Sequence, residues 1–184
     1  MRFLVLGAGA LGGYFGAKLI RGGADVTFLV RPARAAQLQR DGLVVKAQDG
    51  ELRTRAKTVQ QGQVNGSYDV ILLCCKAYDL KEAISAITPA MGDQSVILPL
   101  LNGVRHIDVL TQTFGPKRVL GGLTLINAVL MADGTIQQVS CGSTQPRLEN
   151  STDASAPAAQ HSKQRLKRVA FQSKSVTTSL PGYG

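Results

Sequence analysis

A glycine-rich hexapeptide near the N terminus, Gly7-Ala8-Gly9-Ala10-Leu11-Gly12, stands between a strand pattern and a helix pattern. The preceding Phe3-Leu4-Val5-Leu6 is a short continuous apolar run, which is typical of a strand buried on both faces. After the hexapeptide, apolar residues recur at helical spacing until a stop at Gly22-Gly23. A second apolar run, Val26 to Val30, then completes a β-α-β unit. This order predicts an α/β fold of the Rossmann type: a doubly wound, mostly parallel sheet with helices on both faces.

The spacing of the glycines matches G-x-G-x-x-G, in which each glycine has a different physical role. Gly7 permits a tight turn, Gly9 lets the backbone approach a pyrophosphate, and Gly12 lets the helix pack closely on the sheet. The unpaired N–H groups of the first helical turn then face the phosphates, helped by the positive end of the helix dipole. The alternative is a glycine-rich turn without a ligand. Because the motif lies between a strand and a helix, we expect a dinucleotide site formed by Gly7, Ala8, Gly9, Ala10, Leu11 and Gly12.

Strand and helix patterns continue to alternate as far as Val139. Asp49-Gly50 favours a type I′ turn, because both central residues of that turn take positive φ, and predicts a hairpin. Asp79 with Glu82 three residues later has the spacing of a capping box and predicts the start of a helix. The expected elements are a helix from Pro32 to Arg40, strands Leu43–Gln48, Glu51–Val59 and Tyr68–Lys76, a helix ending at Ile87, a strand Ser95–Leu101, a helix Val104–Phe114, and strands Val119–Met131 and Thr135–Val139.

Length and composition fit a single domain of this class. The 184 residues are 44% hydrophobic and contain no Trp, so the core must consist mainly of Val, Leu, Ile and Ala. Residues 141–160 are rich in Ser, Thr, Ala, Gln and Pro and are expected to form a loop or a poorly ordered segment within the domain 1–184. No apolar run approaches the length of a membrane span.

Three cysteines are too few and wrongly spaced for a disulfide framework or a tetrahedral metal site. We therefore expect no metal and a reducing, cytoplasmic environment. The formal net charge of +9 raises the possibility of an acidic partner. Basic residues from Arg2 to Arg118 are scattered without the aromatic interleaving of single-strand binders, and only Lys163 to Lys174 is dense in them. The charge therefore favours a solvated basic face with a phosphate-bearing ligand over nucleic acid.

The residue after the second strand bears on which dinucleotide is bound. Folds of this type that prefer NAD usually have Asp or Glu there, to accept hydrogen bonds from the ribose hydroxyls. This chain has Arg31, whose guanidinium can pair with a ribose 2′-phosphate in a bidentate manner. Arg34 is a second candidate for the same pocket; the alternative is that both are surface arginines. The presence of Arg31, with Arg34 as a second candidate, favours NADPH over NADH.

Four features occur in an order and spacing that resemble the ketopantoate reductase family. They are the Gly7 to Gly12 turn, Leu29-Val30-Arg31, Cys75-Lys76-Ala77 and Leu101-Asn102-Gly103. By that resemblance, Lys76 corresponds to the family's lysine facing cofactor and substrate, and Asn102 to an asparagine that contacts the nicotinamide ribose and the substrate. Ala128 corresponds to a backbone contact near the nicotinamide. The alternatives are that Lys76 only extends from a strand end into solvent, and that Asn102 is only a turn residue before Gly103.

The resemblance implies an NADPH-dependent reduction of a small 2-oxo acid, ketopantoate to pantoate, a reaction of pantothenate biosynthesis. In the family an N-terminal domain binds NADPH and a C-terminal helical domain bears an essential Lys and Glu. By this comparison, that second domain is absent from this chain, which then supplies only the cofactor half. We expect the chain alone to be a poor catalyst, to expose an apolar patch and to self-associate, for example as a homodimer.

A second hypothesis is a non-catalytic module that binds NADPH or senses redox state through Cys74-Cys75. Vicinal cysteines in a buried strand are usually small core residues, however. His106 falls within a predicted helix and is expected to be a surface or packing residue.

Overall fold

A computed structural model describes residues 1–122 and 124–139. Its main feature is a five-stranded sheet in the order β5-β2-β1-β6-β7, in which every pair of neighbours is parallel. The strands of this sheet are β1 (Arg2–Leu6), β2 (Asp25–Leu29), β5 (Lys57–Val59), β6 (Tyr68–Leu73) and β7 (Met91–Pro99). The expected Rossmann-type α/β fold is confirmed. The expected loop 141–160 and the basic segment after it lie outside the described residues.

Helices cover both faces of this sheet, as its buried strands require. They are α1 (Ala10–Arg21), α2 (Pro32–Asp41), α3 (Leu80–Ile87) and α4 (Arg105–Phe114). Side chains of β1 alternate between two apolar clusters: Phe3 and Val5 lie in the cluster that includes α1 and α2, and Leu4 lies in the cluster that includes α3 and α4. No helix in the described ranges is long and apolar enough to cross a membrane.

A second sheet of four strands, in the order β4-β3-β9-β8, packs on the outer side of α1. Its strands are β3 (Leu43–Ala47), β4 (Gly50–Thr54), β8 (Ala128–Leu130) and β9 (Ile136–Gln138). β3 pairs with β4 antiparallel and with β9 parallel, which brings together segments far apart in the chain. The sequence patterns did not predict this sheet.

Three expectations about these segments were wrong. The hairpin forms, but its turn residues are Gln48 and Asp49, and the positive φ of 113° belongs to Gly50, so the turn is not a type I′ turn on Asp49-Gly50. The expected strand Glu51–Val59 is two strands in different sheets, β4 and β5. Among the described residues of the expected strand Val119–Met131, only β8 and an isolated bridge between Val119 and Ile97 form.

Helix α1 lies between the two sheets, and its glycines allow that close approach. A Cβ atom on Gly16 would lie 2.3 Å from Cζ of Phe28 in the five-stranded sheet. A Cβ atom on Gly13 would lie 2.1 Å from Cδ1 of Ile136 in the second sheet. Since both neighbours are fully buried, neither can move away cheaply. The packing of α1 therefore depends on glycine on both of its faces.

Polar contacts join α1 to the hairpin between β3 and β4. The Lys18 side chain is only 5% exposed, and its Nζ donates to Asp49 Oδ2 at 2.6 Å. Arg21 Nη2 donates to the same oxygen at 2.6 Å. Hydrogen bonds from these two cations lower the pKa of the Asp49 carboxyl to about 2. The hairpin turn thus neutralises a lysine that packing has removed from water.

Replacing Asp49 with Asn should destabilise the domain by about 1 kcal/mol near neutral pH, a value reduced because the carboxylate is half-exposed. The folded-state pKa lies below the ordinary value, so this stabilisation is present above about pH 4 and is lost as the pH falls toward 2. The difference in free energy of unfolding between wild type and Asp49→Asn should therefore shrink over that range. Urea titrations at several pH values would measure it. Asp41→Asn, which removes an exposed carboxylate paired with its neighbour Arg40, is the control. A difference independent of pH would contradict the account.

Candidate functional site

Four loops meet at the carboxyl edge of the parallel sheet. The register pairs Leu6 with both Leu29 and Leu73, and Leu73 with Pro99, so β1, β2, β6 and β7 end at the same level. The glycine-rich turn follows β1, and Arg31 follows β2. Lys76 and Asn102 each lie three residues beyond the Leu73–Pro99 pair. Open α/β sheets bind their ligands at this edge.

The glycine-rich turn has the geometry that its spacing predicts. Gly7 has a φ of 92°, and its N–H donates to the Leu29 carbonyl at 2.9 Å. A Cβ atom on Gly12 would lie 2.0 Å from the Gly7 carbonyl oxygen, so a larger residue could not occupy that position without moving the turn. A Cβ atom on Gly9 would meet none of the described residues within 4 Å other than its chain neighbours. The turn is closed around Gly12 and open above Gly9.

The start of α1 leaves backbone donors at the same place. Gly13 N–H donates to the Gly9 carbonyl at 2.8 Å, so the amides of Ala10, Leu11 and Gly12 come before the first helical hydrogen bond. Gly9 is the N-cap residue and offers no side chain to them. Free amides, the positive end of a helix and the open space above Gly9 fit the phosphates of a dinucleotide.

A cleft of about 500 Å³ opens beside the turn. One side is formed by the turn and by the segment after β2, and the other by the start of α3. Its walls are mainly apolar, with a few charged and amide side chains at the rim. The lining residues are Leu6, Gly7, Ala8, Gly9, Leu29, Val30, Arg31, Pro32, Arg34, Gln60, Gln61, Cys75, Asp79, Glu82, Ala83, Ala86 and Leu130.

Arg31 lies at the rim of this cleft as the N-cap residue of α2. Its side chain is 79% exposed, and Nη2 lies 4.0 Å from Asp79 Oδ1 and 4.0 Å from Glu82 Oε2. These are loose ionic contacts rather than hydrogen bonds, and exposed pairs of this kind contribute little to stability. The guanidinium is therefore available to a ligand, but two carboxylates face it.

Arg34 lines the same cleft, but most of its donors are occupied by protein. Nε donates to the Ala8 carbonyl at 3.0 Å, and Nη1 donates to Gln37 Oε1 at 2.7 Å and to the Gly134 carbonyl at 3.3 Å. Nη2 is buried and has no hydrogen-bond partner within the described ranges. Burial lowers the pKa of the guanidinium. Arg34 thus supports the glycine-rich turn from behind.

Lys76 and Asn102 are exposed at the edge and do not line the cleft. Within residues 1–122 and 124–139, neither side chain has a hydrogen-bond or ion-pair partner. Ala128 is half-buried at the start of β8, paired with Gln138 in the second sheet. The cleft therefore brings together the turn and Arg31, whereas Lys76, Asn102 and Ala128 lie outside it.

The capping box expected at Asp79 does not form. Asp79 is the N-cap residue of α3, but its carboxylate makes no capping hydrogen bond and faces Arg31 instead. A short 3₁₀ turn, Ala77–Asp79, precedes the helix and changes the geometry that a capping box needs. The role of Glu82 at the cleft was also not predicted. The pairing of β6 with β1, one strand away from β2, brings the start of α3 to the edge that carries Arg31.

Cys74, Cys75 and His106 behave as packing groups. Burial raises the pKa of the Cys74 thiol to about 12 and also raises that of the Cys75 thiol. Since the thiolate is the reactive form, this argues against a redox function for the pair. His106 is buried in α4, as expected for a packing residue, and burial lowers its pKa.

The sheet order and the glycine-rich turn, with the cleft at the carboxyl edge, define a Rossmann-like domain. The chain belongs to the ketopantoate reductase PanE/ApbA family, whose pattern matches residues 3–146. This is a family of oxidoreductases.

Sequence relatives and solved structures agree with this assignment. The chain is 42% identical over 140 residues to an uncharacterized oxidoreductase, YkpB, of Bacillus subtilis, covering 76% of this chain and 46% of that protein. It is 28% identical to a 2-dehydropantoate 2-reductase of Mesorhizobium japonicum, covering 76% and 49%. The chain thus spans about half the length of these relatives.

Two solved structures show how far the fold is shared. A 2-dehydropantoate 2-reductase from Geobacter metallireducens aligns with a TM-score of 0.77 and 26% identity, covering 96% of this chain and 56% of that one. A D-mandelate dehydrogenase in complex with NADH and anilino(oxo)acetate aligns with a TM-score of 0.70 and 26% identity, covering 76% and 46%.

Proposed function

We propose that these residues bind NADPH for the reduction of a 2-oxo acid, ketopantoate to pantoate, in the cytoplasm. The observation that carries the proposal is that the open glycine-rich turn and Arg31 line one cleft at the carboxyl edge of the sheet. The turn suits a pyrophosphate, and the exposed guanidinium suits a 2′-phosphate. The names of the relatives supply the substrate.

The cleft would hold the adenosine and phosphate end of the cofactor. The free amides of Ala10, Leu11 and Gly12 would donate to the pyrophosphate, and the Arg31 guanidinium to the 2′-phosphate. NADPH, when bound, supplies a hydride to the carbonyl carbon of the 2-oxo acid. The nicotinamide end would then lie farther along the edge, toward Lys76, Asn102 and Ala128.

At that end, this chain provides binding groups rather than a complete reaction chamber. The Lys76 ammonium attracts the carboxylate of the 2-oxo acid, and the Asn102 amide hydrogen-bonds to the ribose and the substrate. Reduction leaves an alkoxide oxygen that needs a proton, and developing charge is stabilised best where water is excluded. Both side chains are exposed in the described part of the chain. We infer that the proton donor and the second wall of the site come from outside the described residues.

We expect a chain of these 184 residues, which spans about half the length of its relatives, to bind NADPH but to reduce ketopantoate at a negligible rate. Loss of NADPH absorbance on adding ketopantoate measures turnover, and a full-length family reductase serves as positive control. Robust turnover that is lost in Lys76→Ala, with contaminating reductases excluded, would show that the catalytic acid lies within these residues. Such turnover would contradict the proposal that these residues bind the cofactor without supplying the proton donor.

We also propose that the chain self-associates through β8. Among the described residues this strand is at the edge of the second sheet, and Val129, Leu130 and Met131 expose apolar side chains there. Unpaired edges with apolar side chains favour pairing with another chain. Light scattering after size exclusion should give a dimer or larger species, and Val129→Lys should shift it toward monomer. A monomer at all concentrations tested would contradict this expectation.

A further inference from the structure

Two carboxylates lie beside Arg31, the residue proposed to determine the preference for NADPH over NADH. Asp79 Oδ1 and Glu82 Oε2 each lie 4.0 Å from Nη2 of Arg31, and all three residues line the cleft. The carboxylates come from the start of α3, and the arginine from the opposite wall. Arg31 makes no hydrogen bond to either of them at that distance. The rim thus carries one positive and two negative groups within reach of the same ligand atoms.

The charge of this rim bears differently on the two nicotinamide cofactors. A ribose 2′-phosphate brings a charge of about −1.5 to −2, whereas the 2′-hydroxyl of NADH is neutral. A phosphate bound by Arg31 therefore meets two like charges as well as the guanidinium. NADH carries the same pyrophosphate, so repulsion at that group is common to both cofactors and cancels in their ratio.

We propose that Asp79 and Glu82 are specificity-determining residues that hold the preference for NADPH over NADH below the level that Arg31 alone would give. This inference rests on the proposed function. At the rim of the cleft, Arg31 attracts the 2′-phosphate and the two carboxylates repel it. The site consequently binds NADPH more tightly than NADH but keeps an appreciable affinity for NADH.

A purely structural role for the carboxylates makes a different prediction. Acidic residues at a helix N-terminus stabilise the helix through its dipole. Loss of that effect would lower thermal stability and would change the affinities for both cofactors alike. Cofactor selectivity is therefore the readout that separates the two roles.

The test is to compare Asp79→Asn, Glu82→Gln and the double variant with wild type. Dissociation constants for NADPH and NADH are measured by fluorescence titration, at low and at high salt. Each single variant should bind NADPH about three- to tenfold more tightly, less so at high salt, because each removes one nearby like charge. The affinity for NADH should rise less than that for NADPH, since its 2′-hydroxyl is neutral and only the repulsion at the shared pyrophosphate changes. Glu51→Gln, which removes an exposed carboxylate paired with Arg53 outside the cleft lining, should change neither.

An unchanged ratio of the two affinities in all three variants, or weaker NADPH binding, would overturn the inference. If Asp79→Asn does not fold, Glu82→Gln alone decides, because its side chain is 58% exposed and makes no capping contact. Failure of the proposed function is distinguishable by Arg31→Ala. If that variant changes the ratio and the carboxylate variants do not, only this inference fails. If wild type binds neither cofactor, both fail.

Discussion

Replacing Gly9 with valine is expected to reduce NADPH affinity by about a hundredfold or more while the domain remains folded. Apart from the two chain neighbours, none of the described residues lies within 4 Å of a Cβ atom at this position, so the side chain has room there. That room is the space that the pyrophosphate is proposed to occupy, next to the free amides of α1. Fluorescence titration with NADPH, alongside circular dichroism and thermal melting, would measure both consequences.

Gly16 provides the matched control on the same helix. Gly16→Ala places a Cβ atom 2.3 Å from Cζ of Phe28, neither of which lines the cleft, and should lower the melting temperature. The folded fraction of that variant should bind NADPH with nearly unchanged affinity. If Gly9→Val is native by circular dichroism and binds NADPH as wild type does, the glycine-rich turn is not the cofactor site.

Arg31→Ala is expected to weaken NADPH binding by roughly ten- to a hundredfold and to leave NADH nearly unchanged. The guanidinium is exposed and has only loose ionic contacts, so its removal should disturb the fold very little. The lost interaction is a charge-assisted contact with the 2′-phosphate, which NADH lacks. With Arg31 gone, Asp79 and Glu82 would still face the phosphate, which adds to the loss.

Arg40→Ala is the control for this variant, because it removes another exposed arginine of α2 that pairs with Asp41 instead of facing the cleft. It should leave both affinities unchanged. Equal losses for NADPH and NADH in Arg31→Ala would contradict the assignment of Arg31 to the 2′-phosphate.

Local patterns were sufficient to predict four of the five strands of the main sheet, all except β5, and the turn that carries the proposed binding site. The apolar run of β1, the glycines after it and the stop at Gly22-Gly23 are all signals within one β-α-β unit. Short buried strands connected by helices leave few possible topologies. The carboxyl ends of β1, β2, β6 and β7 therefore had to meet at one edge, which is where Gly7, Arg31, Lys76 and Asn102 follow them.

The second sheet could not be predicted, because its pairing depends on contacts distant in sequence. β3 pairs with β9 although about half of the chain separates them, and no local signal marks these strands as partners. The turn at Gln48-Asp49 shows the same limit on a smaller scale. The register pairs Ala47 with Gly50, and Asp49 then turns toward Lys18 and Arg21. A tertiary ion pair overrode the local preference of Asp-Gly.

The place of Arg31 at the cleft could be predicted from its position at a strand end, whereas contacts that depend on neighbouring elements could not. Arg31 could be chosen because one residue type after β2 has a known consequence for the ribose. The placement of Asp79 beside it depends on a 3₁₀ turn before α3, and the occupation of Arg34 by backbone carbonyls depends on the packing of α2 behind the turn. Neither contact has a signature in local spacing.

Calorimetric titration of the 184-residue chain with NADPH and, separately, with NADH would measure whether the chain has an NADPH site. We expect one site per chain and an affinity for NADPH at least about tenfold higher than for NADH, with the difference decreasing as salt is added. Absence of binding by either cofactor, or tighter binding of NADH at low salt, would contradict this expectation.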